Sequence, residues 1–394
     1  MPFFPLLQYI SCEYFEMKKM KNLVLLLTLT LTYNSFANSI SDSLSVSYQN
    51  NLSLKKEGKY LRDKTILPLP IIFRLPETGF AAGALVTGTF KFKNDNEVAK
   101  PSQISVGVAY TQKKQFLAYM PFSVFYDNNK YYISGEVGFF KYNYKYFGIG
   151  ENQIPEENYG VDYPRLKILV SRLIAKNLYV GLRYQFENYK ITSTDAGKEL
   201  ASGKIAGSEN SRTSSLGISF LKDSRDAVFY PRKGTFAEFY ILPTLKVFGA
   251  DRNFNRIVLD AANYQSISKK IVFASNLYGS FIQGQNVPFN QLSLLGGAKK
   301  MRGLFEGKFR DKNFFLLQAE GRFEVWKFLG LTAFSSLGYL GDDKNLIRFN
   351  KPKFTYGGGL RIKAIKKEHI NVRVDYGIQP GEKGNLYLTI GEAF

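Results

Sequence analysis

The chain has 394 residues, a formal net charge of +20 at pH 7, and 15% aromatic residues, with 34 Phe and 26 Tyr against one Trp. A single His and a single Cys remove most metal and thiol chemistry. The surplus of Lys and Arg is scattered singly through strand-like and turn-like segments, which excludes the clustered basic footprint of a nucleic-acid binder.

Lys18, Lys19 and Lys21 precede the apolar run 23–31, and Ser35-Phe36-Ala37 makes a small-x-small cleavage site. Together they predict a secretory signal peptide over residues 1–37. The apolar run is only about ten residues, too short to span a bilayer as a helix. Residues 1–16 lie ahead of the natural basic region and read as an extension before a start at Met17 or Met20, which would remove Cys12 from the mature protein. The Ser- and Asn-rich stretch 38–65 reads as a short periplasmic segment.

From residue 66 onward the period is two. In chain order the pattern predicts strands at 66–74, 80–92, 102–111, 115–126, 130–142, 163–175, 177–190 and 213–222. The second half continues with 234–244, 254–267, 271–283, 313–326, 329–339, 353–365, 369–379 and 385–394. Phe354, Tyr356, Leu360 and Ile362 alternate with Thr355, Gly357, Gly359 and Arg361 in one of these. Ile370, Val372 and Val374 alternate with Asn371, Arg373 and Asp375 in another. Apolar residues outward and polar residues inward is the arrangement of a barrel in lipid.

The connections alternate along the C-terminal two-thirds; near the N-terminus the pattern blurs, since Thr111-Gln-Lys-Lys is short on the supposed outer side. Short ones, such as 127–129, 175–177 and 268–270, are assigned to the periplasm, and the long ones 143–162, 191–212 and 284–312 to the cell surface. The prediction is an all-β fold, a 16-stranded antiparallel transmembrane β-barrel of the outer membrane over 66–394, with Phe394 ending its C-terminal strand signal. Pro68 and Pro70 weaken the first strand, which predicts a poor seam against the last. A soluble β-sandwich would leave the outward apolar band unexplained.

Two places carry candidate function. The strand 313–326 sets Gln318, Glu320, Arg322 and Glu324 on one face, opposite Leu317, Ala319, Phe323 and Val325. Such a charge ladder needs a wet or ion-paired interior. Just before it, Arg302 stands in a loop with Gly296, Gly297 and Gly303. The predicted arrangement folds loop 284–312 into the lumen and pairs Arg302 with Glu320, with Asp375 or Glu324 as a further partner. The second place is the periplasmic turn with Asp223, Arg225, Asp226, Pro231 and Gly234, read as a solvated turn held by its own salt bridges. His369 reads as structural, and Gly148-Ile-Gly150 lacks the strand-turn-helix context of a phosphate loop.

Four stretches resemble a known family: Asp223-Ser-Arg225-Asp226 with Tyr230-Pro231-Arg-Lys-Gly234, and Gly296-Gly297 with Met301-Arg302-Gly303-Leu304-Phe305. The others are Glu320-Gly-Arg322, and Gly357-Gly-Gly-Leu-Arg361 with Arg373-Val-Asp375-Tyr-Gly377. Over 66–394 the chain resembles the BamA/TamA-like superfamily of outer-membrane proteins, also called the bacterial surface antigen family. It departs at Phe334-Ser-Ser336-Leu-Gly338, where Ser336 stands in place of the family's Asp. The short stretch 38–65 leaves no room for a periplasmic POTRA domain, so the resemblance is to a branch without one.

The resemblance implies a non-enzymatic protein that assists protein or lipid insertion or passage at the outer membrane of a Gram-negative bacterium. The alternative is a passive channel or surface antigen with a plugged pore. The implied partners are outer-membrane lipid (lipopolysaccharide and phospholipid), the barrel-assembly machinery for its own insertion, and a separate periplasmic POTRA-like protein or chaperone. No cofactor, metal or nucleic acid is expected.

Overall fold

The computed structural model describes residues 64–93, 95–96, 99–151, 153–228, 230–365 and 370–394. The expected signal peptide, Cys12, most of the stretch 38–65 and His369 lie outside the described residues.

Strands pair in sequence because each short turn returns the chain beside itself. The first eight are β1 (Lys64–Leu75), β2 (Gly79–Phe90), β3 (Ser102–Thr111), β4 (Phe116–Tyr126), β5 (Tyr131–Tyr146), β6 (Glu157–Ala175), β7 (Leu178–Thr194) and β8 (Asn210–Asp223). Then come β9 (Gly234–Thr244), β10 (Phe254–Ser266), β11 (Ile271–Gln283), β14 (Asn313–Trp326), β15 (Leu329–Gly341), β16 (Lys353–Ile365), β17 (Ile370–Ile378) and β18 (Asn385–Ile390). These sixteen strands form one closed antiparallel barrel. The remaining two, β12 (Ser293–Leu295) and β13 (Phe309–Asp311), make a separate hairpin inside the loop between β11 and β14.

The two faces of the wall follow the alternation. On β3, Ile104, Val106, Val108 and Tyr110 are exposed, while Ser105, Ala109 and Thr111 are buried. On β16, Phe354, Tyr356, Leu360 and Ile362 are exposed, while Thr355 and Arg361 are buried. A band of outward apolar side chains around the whole wall is a lipid-facing surface.

The wall is taller on one side than alternation predicts. β6 begins at Glu157, β7 runs to Thr194 and β8 begins at Asn210, so the long connections 143–162 and 191–212 are partly strand. Inside this extension Phe140, Tyr142, Tyr146, Tyr159, Tyr163 and Tyr189 pack with Phe289 of the long loop. Phe140 stacks on Tyr163 with centroids 5.1 Å apart, and Phe289 meets Tyr146 edge-on at 5.6 Å. The outward positions there are Lys141, Asn143 and Lys145. Above the bilayer outward means water, so the apolar-out signal stops while the strand continues.

The last strand is shorter than expected. β18 ends at Ile390, and residues 391–394 leave the wall and turn into the lumen. Phe394 therefore does not end a membrane strand. Its ring lies against Ala262, Tyr264 and Ala274, and its carbonyl accepts a hydrogen bond from Arg322 Nη2 at 3.0 Å. Closure is correspondingly thin. β1 pairs with β2 along its whole length, Lys64↔Phe90 to Leu75↔Gly79, but with β18 only at Arg74↔Leu388.

Candidate functional site

The loop between β11 and β14 carries an apolar set that has to be buried. Leu295, Met301, Leu304 and Phe309 pack on Phe314, Leu316 and Leu340 of the inner wall, each worth about 1.5–3 kcal/mol. That packing draws the loop into the barrel. Its tip turns at Met301 (φ 64°) and Gly303 (φ 114°), and the turn aims Arg302 at the wall. A β-carbon on Gly303 would come within 2.9 Å of Ile378 N, and one on Gly377 within 2.6 Å of Gly303 N. Two glycines facing each other let the loop backbone lie directly on β17.

Arg302 is 1% exposed. Its Nη1 donates to Asp375 Oδ2 at 2.6 Å, and its Nη2 donates to Glu320 Oε2 at 2.5 Å. The guanidinium carbon lies 3.6 Å from the centroid of Phe334, adding a cation–π contact. The carboxylates are shared further. Glu320 Oε1 accepts from Arg322 Nε at 2.7 Å, and Asp375 Oδ1 accepts from Arg361 Nη1 at 2.6 Å. Arg361 Nε also donates to Glu392 Oε2 at 2.7 Å, and Arg373 Nε lies 3.5 Å from Asp375 Oδ2. Arg302, Arg322, Arg361 and Arg373 thus interleave with Glu320, Asp375 and Glu392 in one buried network. Charges so far from water persist only because each is paired and hydrogen-bonded.

Backbone bonds fix the tip around that network. The Tyr387 hydroxyl accepts from Gly303 N at 3.0 Å and donates to Leu304 O at 2.9 Å, while Asn385 Nδ2 donates to Gly303 O at 2.8 Å. Gln318 Oε1 accepts from Met301 N at 3.0 Å, and its Nε2 donates to Lys299 O at 3.1 Å. Gly297 N donates to Leu304 O at 3.1 Å, so Gly296 and Gly297 form the base of the tip.

The loop crosses the whole lumen. At its start Phe289 N donates to Ala206 O at 2.8 Å, and Gln291 Nε2 donates to Glu187 Oε2 at 3.1 Å on the opposite wall. Above it, Gly150 N donates to Arg310 O at 2.8 Å and Gln153 Nε2 donates to Lys308 O at 2.6 Å. The first hairpin joins in, with Glu77 Oε1 accepting from Glu306 N at 2.7 Å. Burial, reinforced by the nearby Glu306 carboxylate, pushes the Glu77 carboxyl up to about 7.

Of the residues singled out from sequence, Arg302, Gly303, Glu320, Arg322 and Asp375 meet in this network. Glu324 does not, because it accepts from Lys363 Nζ at 2.7 Å nearer the periplasmic rim. Ser336 donates to Gln318 Oε1 at 3.3 Å and so reaches the loop only through Gln318. The turn at 224–233 is less solvated than its composition suggests. Arg225 Nε donates to Asp223 Oδ1 at 2.9 Å, Asp226 Oδ1 accepts from Arg232 N at 2.9 Å, and Gly234 opens β9. Pro231, however, is buried, and its carbonyl accepts from Arg322 Nη1 at 3.3 Å. The turn and the tail 391–394 therefore meet under the latch at the periplasmic mouth.

Arg361, Arg373, Glu392, Tyr387 and Glu77 are the residues that sequence reasoning did not place in the site, while Gln318 was read only as an inward position of the ladder. For Arg361 and Arg373 the signal was present, since both occupy inward positions on alternating strands. Glu77 and Glu392 gave none, because a turn carboxylate and a tail carboxylate look solvated until the fold buries them.

The profile of the Omp85 superfamily domain matches residues 97–394. Among solved structures, the chain is similar to BamA from Haemophilus ducreyi lacking POTRA domains 1-3, at 13% identity and a TM-score of 0.56, covering 84% of this chain and 71% of that one. It is also similar to CdiB from Acinetobacter baumannii, at 12% identity and a TM-score of 0.53, and to CdiB from Escherichia coli, at 11% and 0.54. Each CdiB match covers 84% of this chain, but only 60% and 63% of the respective CdiB chains, so this chain spans less than two thirds of their length. At these identities the similarity is one of fold. No curated protein sequence matches the chain.

Proposed function

The chain belongs to the Omp85 superfamily, and from that premise we propose that it assists protein or lipid insertion or passage at the outer membrane of a Gram-negative bacterium. The observation that carries this reading is the seam. Every neighbouring pair in the wall is zipped along several residues except β1 and β18, which register only at Arg74↔Leu388. A barrel in lipid normally leaves no edge, because unpaired backbone groups in hydrocarbon cost several kcal/mol each. A thin seam concentrates that cost at one line of the wall and perturbs the adjacent bilayer, while the Arg302 network anchors the loop to the inner wall.

In this reading a separate periplasmic POTRA-like protein or chaperone delivers the substrate. The barrel's own insertion would use the cell's barrel-assembly machinery, and lipopolysaccharide and phospholipid surround its outward face. No catalytic step is part of this reading.

The loop that crosses the lumen also suits a plugged passive channel or surface antigen, and conductance separates the two. A steady large conductance in planar bilayers favours the channel; near-closed behaviour favours the insertion role. Depleting the protein and measuring outer-membrane proteins and lipids tests the role directly, and an unchanged inventory would remove it.

A further inference from the structure

The first strand carries two prolines at places where they act on the seam. Phe80 directs both backbone groups toward β3, since its O accepts from Gln112 N at 2.6 Å and its N donates to Gln112 Oε1 at 3.3 Å. Phe80 is the β2 partner of Arg74. In an antiparallel ladder the two backbone groups of a residue point the same way, and opposed residues alternate between bonded and non-bonded pairs. Arg74 therefore turns its N–H and C=O away from β2, toward β18. Ile72, Pro70, Pro68 and Ile66 share that direction, two residues apart.

Continuing the Arg74↔Leu388 register would set Ile72 opposite Ile390, Pro70 opposite Glu392 and Pro68 opposite Phe394. The tail does not take those places. Gly391 has φ 82°, its N donates to Asn371 O at 2.8 Å, and Glu392 accepts from Arg361 and Asn371 inside the lumen. The prolines thus stand opposite residues that have left the sheet, on an edge from which they remove two donors. Below Arg74, that edge keeps its carbonyls at Ile66, Pro68, Pro70 and Ile72 but has N–H groups only at Ile66 and Ile72.

We propose that this stretch of the seam, unpaired among the described residues, takes an amine-bearing phospholipid and refuses an added polypeptide strand. A strand docking here would bring its own carbonyls against Pro68 and Pro70 with nothing to receive, weakening it roughly tenfold for each missing donor. Phosphatidylethanolamine can bring donors to this edge through its ammonium, while its phosphate stays toward water. Its acyl chains suit the outward Ile66 and Ile72, which are 76% and 59% exposed, and its head-group ammonium is a donor without an acceptor, matched to an acceptor-rich edge. The stretch lies in the half of β1 on the side of the turns 127–130, 176–177 and 267–270, which is read as the periplasmic, phospholipid side of an outer membrane. This deepens the insertion reading by naming lipid as what uses the seam, and it rests on that reading for the direction of traffic.

The test uses two lipids of equal charge, phosphatidylethanolamine with three N–H donors and phosphatidylcholine with none. The full barrel is released from mixed vesicles of both and weighed intact by mass spectrometry. About tenfold preferential retention of phosphatidylethanolamine is expected; equal retention overturns the proposal, and no variant is needed for that arm. In Pro68→Val/Pro70→Val, verified as folded by its unheated gel mobility, the preference falls toward one, and a preference that persists overturns the assignment to this edge. A photoreactive residue at Ile72 in growing cells should give lipid-sized adducts, whereas a ladder of polypeptide adducts would show strand addition and sink the idea. Loss of the depletion phenotype would remove the insertion role without altering the lipid ratio, so the two failures are distinguishable.

Discussion

Arg302 and Asp375 are separated by 73 positions in the chain, yet Nη1 and Oδ2 lie 2.6 Å apart inside the barrel. The bond ties a loop to the next-to-last strand, close to the seam, and Glu320 holds the other arm of the same guanidinium. Removing it leaves two buried carboxylates short of a cation.

Arg302→Ala is therefore expected to weaken loop docking by about 3–5 kcal/mol, the range for breaking a buried ion pair. The barrel should still insert, since none of its ladder bonds involve the loop, but it should lose its compact mobility at a lower temperature on unheated gels. Arg302→Lys should fall between, because an ammonium cannot present two parallel donors. Unchanged migration of the alanine variant would refute the latch.

Position 377 separates backbone approach from charge. Gly377→Val places side-chain atoms where Arg302 C and Gly303 N now sit, 2.7 and 2.6 Å from a β-carbon. Every ionic partner is intact, yet the tip is expected to be displaced, with gel mobility shifting as for Arg302→Ala. Wild-type mobility would mean that the loop accommodates the side chain and that charge alone holds it.

Glu77 makes loop docking depend on pH. Its carboxyl is raised to about 7, first by burial and then by Glu306, against the pull of the Glu306 and Glu77 N–H groups and Lys113. An unfolded Glu titrates near 4.3. An acid raised in the folded state binds its proton more tightly there, so this contribution is fully present below about pH 4 and lost as pH rises through about 7. The temperature at which the compact form is lost should be higher at pH 6 than at pH 8. Glu77→Gln should flatten that difference, and the same slope in the variant would show that another group is responsible.

Much of this was legible in the chain, and the residues show where legibility stopped. Alternation located the wall because lipid enforces it, so Ile104, Val106 and Val108 could be read as outward from sequence alone. It failed at 157–162, where Tyr159 and Val161 still face in but the outward neighbours meet water. It failed again at 391–394, where Glu392 is drawn from the wall by Arg361, a tertiary attraction with no local signature. Arg302 and Glu320 were legible as a pair because glycines marked the loop and a charge ladder followed it. Whether Asp375 or Glu324 completed the pair depended on depth in the barrel, and neither spacing nor residue type encodes that.

The tail offers the most direct separation of seam from latch. Glu392 accepts from Arg361 Nε at 2.7 Å and from Asn371 Nδ2 at 2.9 Å, and these two bonds act with the Arg322–Phe394 contact to hold the tail inward after Gly391. Glu392→Ala removes both acceptors while leaving Arg361 bonded to Asp375 at 2.6 Å, so the Arg302 arm should survive. Hydrogen bonds to charged groups contribute about 1.5–3 kcal/mol each, enough to release four residues. The Gly391 N–H, held by Asn371 O at 2.8 Å, should then exchange at least tenfold faster, while the Gly303 N–H bound to Tyr387 keeps its protection. Faster exchange at both sites would mean that tail and loop move as one unit. Unchanged exchange at Gly391 would mean that the Arg322–Phe394 bond alone holds the tail.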